Sequence, residues 1–215
     1  MRDHTPRPVP GGSAHSLNGH ARLALGAAAR LGYQLRLLDL PDGYLLDVSD
    51  GRRQGVLATG SASPYALNDA RSFCLARDKA FTARVLAHVG IATIPTALFF
   101  LTDARAAYRS PGRERVDALA YVAANAPVFA KPNQGARGAF AEIIPDLPAF
   151  TAYLDRLEPQ VEAVVLQPVL RGREHRVLCL QGQALAWYTK TLPHLVGDGA
   201  TPLESLAARA GLTLT

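Results

Sequence analysis

Apolar residues fall into short stretches along the chain, some at helical spacing and some at strand spacing, punctuated by glycine, proline and aspartate. Residues 20–31 are rich in Ala and Leu, which fit a helix at little entropic cost, and Gly32 supplies a cap before an apolar strand over 35–40. Residues 44–48 and 56–59 read as a hairpin, because Asp50-Gly51 between them provides the positive φ of a tight turn. Asp78 caps a predicted helix that carries Phe81, Val85, Leu86 and Val89 on one face and ends at Gly90. Beyond Pro95 the pattern predicts a strand over 96–101, a loop over 102–113, a helix over 114–125, and a short strand over 128–131 ended by Pro132. A strand over 139–144, an amphipathic helix over 147–157 and an apolar strand over 163–170 follow. A second hairpin, 177–180 with 184–189, turns at Gln181-Gly182.

Strands and helices mixed in this way, with no internal repeat, predict an α/β to α+β fold class. Residues 1–16 have no periodic apolar positions and hold Pro6, Pro8, Pro10, Gly11 and Gly12, so they are expected to form a flexible arm. The expected partition of the rest is a small α/β unit over 17–75, a central domain over 76–170 and a further domain beginning at 171. With 215 residues, 48% of them hydrophobic, the chain can bury a substantial core. No apolar run reaches the ~20 residues that span a bilayer, and the polar start has no leader-like apolar segment, so a cytoplasmic protein without membrane partners is expected. Cys74 and Cys179 lie far apart in apolar settings and read as reduced core thiols. The net charge of +5 favours anions in general; its basic residues are scattered and not interleaved with aromatics, which disfavours nucleic acid as the partner.

Three segments carry candidate chemistry. The run Phe129-Ala130-Lys131-Pro132-Asn133-Gln134-Gly135-Ala136-Arg137-Gly138 sets a lysine at a strand end before a loop with two glycines. Glycine lets backbone N–H groups approach an oxyanion and lysine adds a mobile point charge, although a hairpin loop with one surface lysine reads equally well. Lys79 stands in the first turn of its helix, where a cation opposes the helix dipole unless an anion lies close; a solvated lysine beside Asp78 is the other reading. Gln167-Pro168-Val169-Leu170-Arg171-Gly172-Arg173-Glu174 ends an apolar strand with a proline that cannot donate to a ladder, leaving backbone groups for a planar base. Glu174 can accept from two ribose hydroxyls or stand in solvent.

In order and spacing these segments resemble the ATP-grasp superfamily of carboxylate-amine ligases, most closely the ligase domains of bifunctional glutathione synthetases and cyanophycin synthetases. The resemblance runs through Asp78-Lys79, Gly90-Ile91 and Pro95, then 128–138, then 166–177, and closes on Lys190-Thr191-Leu192-Pro193-His194-Leu195-Val196-Gly197-Asp198-Gly199. It implies an ATP-grasp fold, incomplete at its C-terminus, in which 17–75 lies on the substrate side, 76–170 is the lid-bearing central domain and 171–215 begins the C-terminal domain. It implies that Lys79 and Lys131 contact ATP phosphates, and that Asn133, Gly135 and Gly138 belong to the lid loop. Gln167 would face the adenine amino group, Pro168 and Leu170 would line the hinge, and Glu174 would hold the ribose. Arg176 and Lys190 would be cations at the phosphate or acyl-phosphate side, and Asp198 would lie near substrate. The family binds two Mg²⁺ through an acid and a later Glu-x-Asn pair, and those ligands are expected outside this chain. The implied reaction joins a small-molecule carboxylate to an amine through an acyl phosphate, and the family is commonly oligomeric. A non-catalytic nucleotide-binding module, half of a split ligase, and a nucleic-acid binder driven by basic charge are the alternatives.

Overall fold

In a computed structural model the described residues are 17–39, 43–59, 68–104, 106–157, 161–191 and 194–212. The expected flexible arm and the Leu192-Pro193 step of the last motif lie outside them. The chain is a mixed α/β protein with three small antiparallel sheets, and it divides into two compact units, the first ending at Pro168 and the second beginning at Val169.

The first unit opens with helix α1 (Gly19–Leu31). Asn18 caps it by accepting from the Ala21 N–H, and Gly32, at φ 75°, closes it in the left-handed region that favours glycine. Strands β1 (Gln34–Leu37), β2 (Leu45–Ser49) and β3 (Gln54–Ala58) form a meander. The Asp50-Gly51 turn spans four residues, and the Asp50 carboxylate accepts from the Arg52 and Arg53 N–H groups. Leu17, Ala21, Leu37 and Leu46 make a small core between α1 and this sheet.

Helix α2 (Ala70–Arg77), absent from the sequence expectation, runs into α3 (Lys79–His88). The apolar stripe expected on α3 is not buried: Ala80 alone is, while Phe81, Val85 and Val89 are exposed. In the first turn of α3, Ala80 joins Leu98, Ala163 and Val165 in a small buried cluster. The cysteines also depart from expectation, since Cys74 on α2 and Cys179 are both exposed. Helical spacing shows which residues share a face; it does not show that anything covers that face.

The main sheet comprises β4 (Ala97–Phe100), β5 (Val128–Pro132), β6 (Glu142–Ile144) and β7 (Ala163–Pro168), in the order β4-β7-β5-β6, all antiparallel. Helices α4 (Arg115–Asn125) and α5 (Leu147–Leu157) complete the unit. Side chains alternate across a strand, so the register sorts the sheet into two faces. Phe99, Val128, Ala130, Ile144, Val164 and Leu166 lie on one face and join Val122, Phe150, Tyr153 and Leu154 of α4 and α5 in the largest core. Leu98, Val165, Phe129, Lys131, Ile143 and Gln167 share the other. The five residues 163–167 are buried; the unbroken apolar run 163–166 suits an interior strand, and Gln167 is the one polar residue among them.

The second unit holds the ribbon of β8 (Glu174–Leu180) and β9 (Gln183–Lys190) and helix α6 (Leu203–Arg209). The expected turn is present, with Gln181 at φ 50° and Gly182 at φ 80°. Every residue of both strands is exposed.

Candidate functional site

Of the site residues of the first unit, Lys79, Asn133 and Gly135 meet where the end of β5 reaches the start of α3, with Lys131 two residues before Asn133, while Gln167 and Pro168 pair with the start of β5. Asp78, the α3 cap, accepts from the Phe81 N–H through Oδ1 at 2.8 Å. Its Oδ2 accepts from Asn133 Nδ2, also at 2.8 Å. Asn133 returns Oδ1 to the Ala80 N–H at 3.0 Å, and its carbonyl accepts from the Lys79 N–H at 3.2 Å. The first N–H groups of α3 are therefore satisfied by protein atoms, so anion binding here falls to the side chains rather than to the helix terminus.

Lys79 is half-buried, and its ammonium donates to the carbonyls of Asn133 and Gly135, each at 3.2 Å. Burial pulls its pKa below the usual lysine range, the charge of Lys131 lowers it further, and Asp78 partly offsets both. The two lysines expected to share a phosphate site are thus close enough to feel one another. Lys131 projects from β5 on the same face as Phe129, whose ring centroid lies 5.4 Å from its Nζ. The carbonyls account for why a lysine is tolerated in a first helical turn without an anion present.

From Gln134 to Ala139 the loop is exposed. Gly135 has φ 127° and Gly138 has φ 76°, and a Cβ at either would meet no atom within 4 Å. Backbone conformation, and not crowding, is what requires glycine there. Asn133 differs from the rest of the expected loop: it is 6% exposed and its side chain is committed to α3. At the far root of the loop the buried Tyr153 hydroxyl donates to the Phe140 carbonyl at 2.8 Å, and burial raises its pKa.

Gln167 lies on the lysine-bearing face, paired across the ladder with Phe129, which in turn faces Ile143 on β6. Thr96 Oγ1 donates to the Ile94 carbonyl at 2.8 Å and therefore accepts from Gln167 Nε2 at 2.7 Å. That assignment leaves Gln167 Oε1 as the acceptor of the carboxamide. Pro168, at the strand end, is exposed. Sequence reasoning missed Thr96 and the pairing of Asp78 with Asn133, whose partners lie 71 and 55 residues away along the chain.

In the second unit, Leu170 is exposed and Glu174 sits opposite Lys190 on the ribbon. Lys190 Nζ donates to both Glu174 oxygens at 3.3 and 3.1 Å, and Arg176 Nε lies 3.8 Å from the same carboxylate. The three expected residues thus form one exposed ionic cluster. Asp198 accepts from the Thr201 hydroxyl and from the Thr201 and Ala200 N–H groups, which holds its pKa at about 2. Among the described residues no group of three or more His, Cys, Asp or Glu converges. No described helix is long and apolar enough to cross a membrane.

No family model matches the chain. It is 29% identical over 135 residues to cyanophycin synthetase from Geminocystis herdmanii, a match covering 61% of this chain and 14% of that protein. Among solved structures, a bifunctional glutathione synthetase from Pasteurella multocida aligns with 88% of this chain and 24% of its own, at 19% identity and a TM-score of 0.48. The D-alanine-D-alanine ligase from Coxiella burnetii aligns with 50% of this chain and 30% of its own, at 18% identity and a TM-score of 0.38. The chain therefore spans a small fraction of these proteins, and it is similar to ATP-grasp ligases, with cyanophycin synthetase, one of the two enzymes its motif order resembles, as a sequence relative.

Proposed function

We propose that this chain is the nucleotide-binding portion of an ATP-dependent carboxylate-amine ligase. The observation that carries the reading is the lysine pair: Lys79 and Lys131 approach closely enough for one to lower the other's pKa, at the root of a glycine-bearing loop. Two cations held near one loop attract an anion, and a triphosphate supplies several negative charges. The apolar pair Phe129 and Ile143 on the same sheet face offers a surface for a planar base, and Gln167 Oε1 on that face is an acceptor for an exocyclic amino group. That combination favours adenine, whose amino group is a donor.

In this reading Lys79 exchanges its carbonyl partners for phosphate oxygens, and Lys131 takes the same phosphates from β5. The γ-phosphoryl group moves to a substrate carboxylate, giving an acyl phosphate and ADP, and an amine then displaces phosphate to leave an amide. The cations stabilise the charge on the transferring group, where positioning and electrostatics account for most of catalysis. Glu174, Arg176 and Lys190 serve the ribose and phosphate side. Calorimetric titration with ATP of the chain and of Lys131→Ala tests the proposal, and equal affinities would remove it.

A further inference from the structure

We propose that Asp78 and Asn133 are positioning residues that set the separation of Lys79 and Lys131 for a triphosphate, an inference that rests on the two lysines being the phosphate site. Lys131 lies two residues before Asn133 on the strand, and Lys79 directly follows Asp78 on the helix. One buried side chain spans the junction, with Nδ2 on Asp78 and Oδ1 on the Ala80 N–H. The backbone joins on either side, since the Asn133 N–H donates to the Ala163 carbonyl at 2.9 Å and its carbonyl receives the Lys79 N–H and ammonium.

Two like charges on separate elements repel, and after burial the charge of Lys131 is the next cause that lowers the Lys79 pKa. Without a rigid link the elements would relax apart, and a ligand would have to draw them back at a cost to its affinity. Asparagine suits the place because it offers one donor and one acceptor, and Asp78 and Ala80 need one of each. A carboxylate at 133 alone would face the Asp78 carboxylate, and a leucine would leave both α3 groups unpartnered. Exchanging the two residues, Asp78→Asn with Asn133→Asp, keeps every donor opposite an acceptor. The carboxylate now on 133 accepts from Ala80 and from the carboxamide now on 78, whose oxygen caps Phe81.

ATP, inorganic tripolyphosphate and adenosine are titrated by calorimetry against the chain, Lys131→Ala, Asn133→Ala and the exchanged pair. Asn133→Ala is expected to lose about tenfold in affinity for ATP and tripolyphosphate with adenosine unchanged, the size of one lost buried hydrogen bond. The exchanged pair should return to within roughly threefold of the original. Equal weakening of ATP and adenosine in Asn133→Ala would show a loosened fold and overturn the proposal, as would unchanged ATP binding. Should Asn133→Ala not fold by circular dichroism, the exchanged pair decides: folded and binding adenosine but not ATP, it overturns the proposal. If Lys131→Ala binds ATP as the parent chain does, the phosphate site itself falls; a loss there beside an intact Asn133→Ala removes the positioning role alone.

Discussion

The end of β5 and the β8–β9 ribbon are built from the same kinds of residue, two cations beside one acid, yet they treat charge in opposite ways. On the ribbon, Lys190 and Arg176 stand exposed on either side of Glu174, which answers them directly. At the end of β5, Asp78 is occupied by the cap of α3 and by Asn133, and Lys79 is half-buried with carbonyls as its hydrogen-bond partners, a like-charged neighbour and a partial offset from Asp78. The first arrangement pairs its charges directly in solvent. The second holds positive charge partly buried, where water screens it less, which favours binding an anion. A count of charged residues would rank the two alike; their backbone partners and burial separate them.

The sharpest break of this comparison is at Lys131. Removing a charge-assisted contact costs about 1.5–3 kcal/mol, so Lys131→Ala should weaken ATP roughly 10- to 100-fold, whereas a nucleotide site centred on the ribbon would leave affinity unchanged in calorimetry. The loop gives the next effect. Gly135→Ala would place a side chain at φ 127°, a backbone cost of about 1–3 kcal/mol, which urea denaturation would read as a lower midpoint at unchanged slope.

Acidity sharpens the contrast further. Because the folded-state pKa of Lys79 lies below its unfolded value, the unfolded chain binds the proton more tightly. Stability should therefore rise with pH between the two pKa values, as the penalty of a buried ammonium is relieved. ATP affinity should fall over the same interval, because the ammonium is lost earlier than from an ordinary lysine. Lys79→Arg keeps its charge throughout, and titrations across alkaline pH should show that fall delayed. Lys190→Met on the ribbon should change stability by only about 0–1 kcal/mol, the worth of an exposed pair, and thermal unfolding at two salt concentrations would detect anything larger. The smallest effect belongs to Asp198→Asn. The carboxylate, at a pKa of about 2, contributes above its unfolded value and loses that contribution as pH falls through the folded one. Acid unfolding curves of parent and variant should diverge only above that range.

Local chemistry was legible from sequence wherever a neighbour in the chain supplies the partner. Asp78 caps α3 because its carboxylate reaches Phe81 three residues on, and Gly32 and Gly182 take positive φ where their turns require it. The run 163–166 is buried because a strand with apolar residues on both faces favours an interior place. Motif order likewise set Lys79, Lys131, Gln167 and Glu174 apart as candidates before any fold was in view. What needed tertiary structure was every relation across a gap in sequence. The exposure of Phe81 and Val85 depends on which element covers a helix face, and helical spacing carries no such information. Asn133 could be read from sequence only as part of a glycine loop. Its pairing with Asp78, 55 residues earlier, makes it a rivet between strand and helix, and the lowered pKa of Lys79 follows from burial and a neighbour that only folding brings near. Hydrogen bonds and charges act over ångströms in space, and chain order predicts that proximity only within a turn or two of backbone.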